Sequence, residues 1–306
     1  MPPVDLSGGQ PSAGGGRSQT LPAILLIGAD GMLGRAFREL FHAEEIPFRA
    51  ANFPEIDLAS DASVAQALAD PVDVVINCAA FTDVDGAETR EAEATAVNGV
   101  GVGRLERLCS ARGALLVHFS TDYVFSGEAS SPYPIDAARA PVNAYGRSKA
   151  VGEALIEESG SRYLLLRTSW LYAPWAKNFV RTIAELARKR DRLRVVEDQR
   201  GRPTSAEHLA RVSWALIRQL GAGEGVRRTF HVTDGGACSW FEFATVIAAA
   251  VAPGCQVEPC LAVEFSRPAR RPAYSVLDIG DTEAVIGPMR PWRENLASVL
   301  CRLEPT

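Results

Sequence analysis

The sequence predicts an α/β protein: a doubly wound, Rossmann-type parallel sheet with a smaller C-terminal α/β region for substrate. Three observations predict it. Apolar runs of strand length at residues 23–27, 73–78, 114–120 and 163–168 are rich in Val, Ile and Leu and do not alternate with polar residues, the mark of strands buried on both faces. Helix-patterned segments lie between them, at residues 31–41, about 91–112 and about 144–159; such alternation, with right-handed crossovers, places helices on both faces of one sheet. Three glycines, Gly28, Gly31 and Gly34, follow the first strand and open the first helix, where dinucleotide-binding sheets carry their phosphate turn.

Past Trp170 the texture changes. A helix pattern covers residues 178–190 and a strand 193–197, followed by a loop with Arg200, Gly201, Arg202 and Pro203. Thr204 or Ser205 reads as a helix N-cap, with Glu207 at capping-box distance from Thr204 and a helix running to about residue 220. Residues 229–233 read as a strand. Ser239 and Glu242 repeat the capping-box spacing and open a helix to residue 252. Residues 253–291 are Pro- and Arg-rich and read as mostly irregular, and a last helix covers about 292–303. The expected organisation is a leader at 1–20, a Rossmann domain at 21–170 plus about 196–236, and a second, interleaved region at about 171–195 plus 237–306.

Composition narrows the function. The 306 residues are 47% hydrophobic and 23% charged, ordinary globular proportions in a chain long enough for about two domains. A net charge of −5 excludes a nucleic-acid binder held by a broad basic face. No apolar run reaches the roughly 18 residues of a membrane helix, so no membrane partner is expected. Six cysteines stand apart with no CxxC pair and read as free thiols of a reducing compartment, the cytoplasm. The first twenty residues are rich in Gly, Pro and Ser and lack the pattern of a secretory signal, so they read as a disordered leader.

The glycine turn implies a dinucleotide. Its first glycine makes the tight turn, the second lets the backbone approach the pyrophosphate, and the third lets helix pack on strand; the phosphate then meets the amides and positive end of the helix. The alternative is a Gly-rich structural turn. The second strand, around residues 47–52, carries no acid for a ribose 2′-hydroxyl, and Arg49 or Arg35 stands near enough in sequence to meet a 2′-phosphate. NADPH is therefore expected, with NADH open. Tyr145 and Lys149 are four residues apart on a helix and share a face. An ammonium beside a phenol lowers its pKa and makes it a usable general acid. Ser120 and Thr121 end a buried strand at the carboxyl edge, where open α/β sheets bind ligands. The alternative for the Tyr–Lys pair is a solvated helix face.

These residues resemble the extended short-chain dehydrogenase/reductase superfamily and, within it, the dTDP-4-dehydrorhamnose reductase family. The likeness runs from about residue 21 to 303. It is carried by Asn77-Cys78-Ala79-Ala80, Thr121-Asp122-Tyr123-Val124-Phe125, Asn143-Ala144-Tyr145-Gly146-Arg147-Ser148-Lys149, Asp198-Gln199-Arg200-Gly201-Arg202-Pro203-Thr204 and Arg271-Pro272-Ala273-Tyr274-Ser275-Val276-Leu277-Asp278. The resemblance implies hydride transfer from NAD(P)H to the C4 ketone of dTDP-4-dehydro-6-deoxy-L-mannose, giving dTDP-L-rhamnose. Tyr145 would supply the proton, Lys149 would tune the phenol and hold the nicotinamide ribose, and Thr121 would polarise the carbonyl. It places Gly28, Gly31, Met32, Leu33, Gly34, Asp57, Leu58, Asn77, Ala79, Ala80, Tyr145 and Lys149 on the cofactor. It places Val84, Asp85, Thr121, Asp122, Tyr123, Trp170, Asn178, Arg202 and Arg271 on the dTDP-sugar. For Trp170 the alternative is core packing, for Arg202 and Arg271 solvated loop charges, and for Asp57 a helix cap. No metal is expected at the site, and a homodimer is expected from the superfamily. Two departures stand out: Asp30 puts a carboxylate inside the glycine turn, and Arg200 and Arg202 stand where the family often has an aromatic and a small residue. Two other functions remain open: a nucleotide-sugar 4,6-dehydratase or 4-epimerase (Tyr123 lacks the acid that the compared dehydratases carry there), or a non-catalytic nucleotide-binding subunit like the methionine adenosyltransferase β subunit.

Overall fold

The computed structural model describes residues 22–221, 223 and 226–303; the expected leader at 1–20 lies outside them. The chain runs β1 (Ile24–Ile27), α1 (Met32–Ala43), β2 (Arg49–Ala51), α2 (Asp61–Ala67), β3 (Val74–Asn77), α3 (Val84–Ala87), α4 (Glu91–Thr95), a π-helical turn (Ala96–Val100), α5 (Gly101–Arg112), β4 (Leu115–Thr121), α6 (Ala144–Glu158) and β5 (Tyr163–Thr168). It continues with β6 (Leu171–Tyr172), α7 (Phe179–Lys189), β7 (Arg192–Val196), β8 (Arg200–Gly201), β9 (Thr204–Ser205), α8 (Ala206–Leu220), β10 (Arg227–His231), β11 (Cys238–Ser239), α9 (Trp240–Val251), β12 (Gln256–Cys260), α10 (Gly280–Ile286) and α11 (Trp292–Leu300).

Six strands pair in the order β10-β5-β4-β3-β1-β2, every pair parallel. Period-two geometry splits each strand between the faces. Leu26, Ile76, Val117 and Leu164 pack on α1 and α8 through Phe37, Phe41, Leu209 and Trp214. Leu25, Ile27, Val75, Leu116 and Leu165 pack on α2, α5 and α6 through Val64, Val102, Leu105 and Ile156. This double burial is why the strands read as unbroken apolar runs. The order reverses between β1 and β3, and the carboxyl ends of those strands border the crevice where such sheets take ligands. A third core gathers Tyr172, Val180, Ile183, Leu193, Val195, Phe243, Ile247, Leu296 and Val299, from β6, α7, β7, α9 and α11. The parallel pair β7–β12 belongs to this smaller unit.

Three expectations need correction. Residues 91–112 are not one helix: the π-helical turn interrupts them where the Asn98 side chain bonds both the amide (2.9 Å) and the carbonyl (3.0 Å) of Phe81. Thr204 does not open a capping box. It pairs with Leu171 in the β6–β9 ladder, Ser205 holds the N-cap position without a side-chain bond, and Glu207 pairs with Arg302 instead. Residues 253–291 are more ordered than expected, since they hold β12 and α10. The second capping box is present: the Ser239 hydroxyl accepts from the Glu242 amide, and the Glu242 carboxylate accepts from the Ser239 amide.

Candidate active site

The glycine turn joins β1 to α1. Gly28 has φ +72°, and a Cβ added there would sit 2.7 Å from the Ala79 amide nitrogen, so the first position demands glycine twice over. A Cβ on Gly34 would lie 2.1 Å from the Gly28 carbonyl oxygen, which is why the helix can close onto the turn. Gly31 caps α1 with no side-chain bond, and no acid stands in the first turn. The leading amides of α1 and its positive end are thus left for an anion. Across the switch point, Asn77 at the end of β3 accepts the Ala79 amide on Oδ1 (3.1 Å) and turns its Nδ2 to His118 Nδ1 (3.1 Å). The residues present fit a dinucleotide. Asp57 instead accepts the Ala59 amide (2.9 Å), while Ser60 caps α2. The Leu58 side chain is buried in the core beneath the α2–α5 face.

Tyr145 and Lys149 ride on α6, which Asn143 caps by accepting the Gly146 amide (2.7 Å). A Cβ on Gly146 would fall 2.1 Å from the Tyr123 carbonyl oxygen, so this glycine lets α6 lie directly on the turn that follows β4. The result brings Tyr145 against Thr121 and Tyr123; the two tyrosine rings meet edge-on, centroids 6.1 Å apart. Thr121 donates to Asp122 Oδ1 (3.0 Å) and accepts the Tyr123 amide (3.2 Å). Lys149 is 3% exposed and donates to the Phe119 carbonyl (2.8 Å). Its charge also reaches Cys78, whose backbone abuts Gly28. Tyr145 thus meets Thr121 at the carboxyl end of β4, and Lys149 acts on Cys78, which stands beside the glycine turn.

The electrostatics differ from the expected pairing. The Tyr145 phenol is raised, first by burial and next by the Asp122 carboxylate, with a hydrogen bond to Thr121 opposing. Burial and Asp122 thus set the phenol, while the Lys149 ammonium donates to the Phe119 carbonyl and acts on Cys78 and His118. Burial pushes Lys149 down to about 8, against the pull of Glu153 one turn behind it. Burial likewise raises Asp122 to about 7.

A cavity of about 670 Å³ opens next to this cluster. Val84, Tyr123, Phe179, Trp240, Arg267 and Arg271 are among its walls. Asp85 bonds Arg271 Nη1 (2.9 Å) and the Ala269 amide (3.2 Å) on Oδ1, which braces the arginine at the cavity. Three expected substrate residues are placed elsewhere. Arg202 lies in a separate cavity with Asp278 and Glu283, because β8–β9 carries it round to the α10 side. Asn178 spends its amide on capping α7 and on the Ala173 carbonyl (2.8 Å). Trp170, at a left-handed φ of +48° that a bulky residue adopts only under constraint, stacks on Trp240 with centroids 3.5 Å apart. Trp240 is the ring that meets the cavity. Trp240, Phe179 and Arg267 were not among the expected residues; the available signal was Trp240 directly after the Ser239 cap and Phe179 directly after Asn178. The arginines expected at a 2′-phosphate are also engaged elsewhere. Arg49 donates to the Ala67 carbonyl (2.7 Å); Arg35 pairs with Glu39 (3.0 Å) and lies over the Trp175 ring (4.6 Å).

Comparison with known proteins places these features in a family. Residues 22–304 match the family described as the RmlD substrate binding domain. A dTDP-4-dehydrorhamnose reductase of Burkholderia thailandensis is 40% identical over 268 residues, covering 83% of this chain and 89% of that protein. The crystal structure of a dTDP-4-dehydrorhamnose reductase from Clostridium acetobutylicum superposes with a TM-score of 0.86 at 36% identity, over 92% of this chain and 99% of that one. A Bacillus anthracis dTDP-4-dehydrorhamnose reductase, solved in complex with NADP, gives a TM-score of 0.85 at 33% identity over 92% and 99% of the two chains.

Proposed function

We propose, since the chain belongs to the RmlD substrate binding domain family, that it is an oxidoreductase that reduces the C4 ketone of dTDP-4-dehydro-6-deoxy-L-mannose to dTDP-L-rhamnose with NAD(P)H. The observation that carries the reading is the hydrogen bond between Tyr145 and Thr121 at the end of β4, with Lys149 one turn further along α6 acting on Cys78, beside a glycine turn whose helix end is left for an anion. NAD(P)H bound on that turn supplies the hydride to C4. The chain supplies position, a proton and electrostatics.

Gly28, Gly31, Met32, Leu33 and Gly34 hold the pyrophosphate through backbone amides, and Asn77 fixes the Ala79–Ala80 edge of the cofactor cleft. Tyr145 gives its phenolic proton to the ketone oxygen. Its raised pKa keeps that proton in place at neutral pH until charge develops on the oxygen. The Thr121 hydroxyl aligns the carbonyl, and Lys149 faces the nicotinamide ribose and the phenolate left after proton transfer. In the cavity, Val84, Asp85, Asp122 and Tyr123 border the sugar. Arg267 and Arg271 take the diphosphate, which suits guanidinium geometry, and Phe179 with Trp240 takes the base. The segments about 171–195 and 237–306 form the sugar-nucleotide unit in this reading, and 21–170 with about 196–236 the dinucleotide unit. Among the described residues no helix is long and apolar enough to cross a membrane, and the six cysteines are free thiols; a cytoplasmic address fits them. A homodimer is the proposed assembly, read out by light scattering.

Replacing Tyr145 with Phe keeps the ring and removes the proton source. Turnover should fall about a hundredfold or more, the scale of a lost general acid, while NADPH affinity stays within about twofold. Near-normal turnover would remove Tyr145 from the mechanism.

A further inference from the structure

The carboxylate inside the glycine turn has a partner. The Asp30 amide donates to Asn52 Oδ1 (2.9 Å), and Asn52 is the residue just past β2. Asp30 is therefore tied to the end of the second strand, where the adenosine ribose of a bound dinucleotide exposes its 2′ position. A free carboxylate there would repel a 2′-phosphate. Asp30 is not free: Arg38 Nη1, two turns into α1, pairs with its Oδ1 at 2.5 Å. Both side chains are substantially exposed, 66% for Asp30 and 42% for Arg38. They share a surface cavity of about 430 Å³ with Arg35, Glu39 and His42. An exposed ion pair costs little to rearrange, on the order of 0.2–1 kcal/mol, so Arg38 can turn toward a second anion while still neutralising Asp30. Arg49 and Arg35 are committed to the Ala67 carbonyl and to Glu39 with Trp175. Of the other nearby carboxylates, Glu39 is paired with Arg35 and Arg302, and Glu55 accepts from the Asn52 amide at 3.5 Å.

We propose that Arg38, held ready by Asp30, reads the 2′-phosphate of NADPH, and that this pair sets the preference between NADPH and NADH. With NADPH the guanidinium keeps Nη1 on Asp30, which stays neutralised, and turns its remaining N–H groups to the dianionic phosphate. With NADH the pair stays closed, and Asp30 faces the ribose hydroxyls without repelling them. The proposal rests on the dinucleotide reading of the glycine turn.

Equilibrium binding of NADPH and of NADH, followed by nicotinamide fluorescence without sugar substrate, tests it on the full chain. Arg38→Gln should weaken NADPH about tenfold, the scale of one lost charge-assisted hydrogen bond, and leave NADH within twofold. Asp30→Asn should raise the NADPH-over-NADH affinity ratio about fivefold by removing the competing charge. Raising salt should weaken NADPH more than NADH in the wild type and erase most of that difference in Arg38→Gln. If both variants keep the wild-type affinity ratio within twofold, the proposal is overturned while the dinucleotide site stands. If the wild type binds neither nucleotide, the proposal and the reading beneath it fall together.

Discussion

Glu153 sits on α6 one turn beyond Lys149 and two beyond Tyr145, with its side chain fully buried. Its carboxylate receives Arg167 through Nε on Oε1 (2.9 Å) and Nη2 on Oε2 (2.7 Å), and Arg139 on Oε2 (3.1 Å). Arg167 is itself only 3% exposed; it also donates to the Ile135 carbonyl (2.7 Å), approaches His231 (3.4 Å) and lies over the Phe125 ring (5.1 Å). That histidine is pushed down to about 4, first by burial and then by Arg167, so it brings no compensating charge. The replacement Glu153→Gln keeps the shape but strands the Arg167 guanidinium. Losing one member of a buried pair costs about 3–5 kcal/mol. Glutamine keeps one carbonyl acceptor, so the lower end, about 3 kcal/mol, is expected, and the thermal midpoint should fall by roughly 5 °C for a chain of this size.

Urea and thermal unfolding at pH 7 measure this loss. The double replacement of Glu153 by Leu and Arg167 by Met should recover most of it, because an apolar pair carries no buried charge. The acid limb is a second readout. Burial, the largest single influence, would raise the Glu153 carboxyl, but Arg167, Ser120 and Arg139 together hold the group below its ordinary value. Its contribution is present above the unfolded carboxylate pKa near 4.5 and is lost as pH falls through the lower folded value; the variant should show a shallower acid limb. A loss under about 1 kcal/mol, or a double variant no better than the single, would refute the view that this pair anchors α6.

Two further outcomes concern the site. A Cβ at Gly146 meets the Tyr123 carbonyl oxygen at 2.1 Å, so Gly146→Ala should shift α6 away from Thr121. Turnover should drop at least about tenfold with NADPH affinity nearly intact, since misplacing reacting groups by an ångström costs that much or more; equal losses in both would contradict a local effect. Lys149, pushed down to about 8 by burial, should give kcat/KM of the free enzyme a falling limb near pH 8. Stability should move the other way, rising from pH 8 toward 10.5, because the folded state sheds the proton first. A pH-independent kcat/KM from 7 to 9.5 would remove the lysine's charge from the account.

The sheet was legible because its strands are buried on both sides and so are apolar without interruption: Ile24 to Ile27 are all buried, and so is every residue of β4. The Ser239–Glu242 box was legible because a cap is local chemistry. Thr204 carried the same spacing but formed a ladder bond with β6, a long-range partner no local pattern encodes. Likewise, Arg202 and Arg271 are equivalent as sequence, two arginines in Pro-rich loops, yet the fold sends one toward Glu283 and the other toward Asp85. The convergence of Tyr145 with Thr121 was readable from chain order on a parallel sheet. The commitment of Lys149 to a strand carbonyl was not, since it depends on how closely Gly146 lets α6 approach. Trp240 escaped notice because an aromatic residue opening an apolar helix reads as core; in fact it is backed by Trp170 and open on its other side to the cavity.

The most direct test of the central claim is to supply dTDP-4-dehydro-6-deoxy-L-mannose and NADPH, follow absorbance at about 340 nm, the reduced nicotinamide band, and identify the product by NMR. One equivalent of NADPH should be consumed per sugar, with dTDP-L-rhamnose formed and the new C4 hydrogen derived from the nicotinamide. No consumption, or a product with the opposite C4 configuration, would contradict the account.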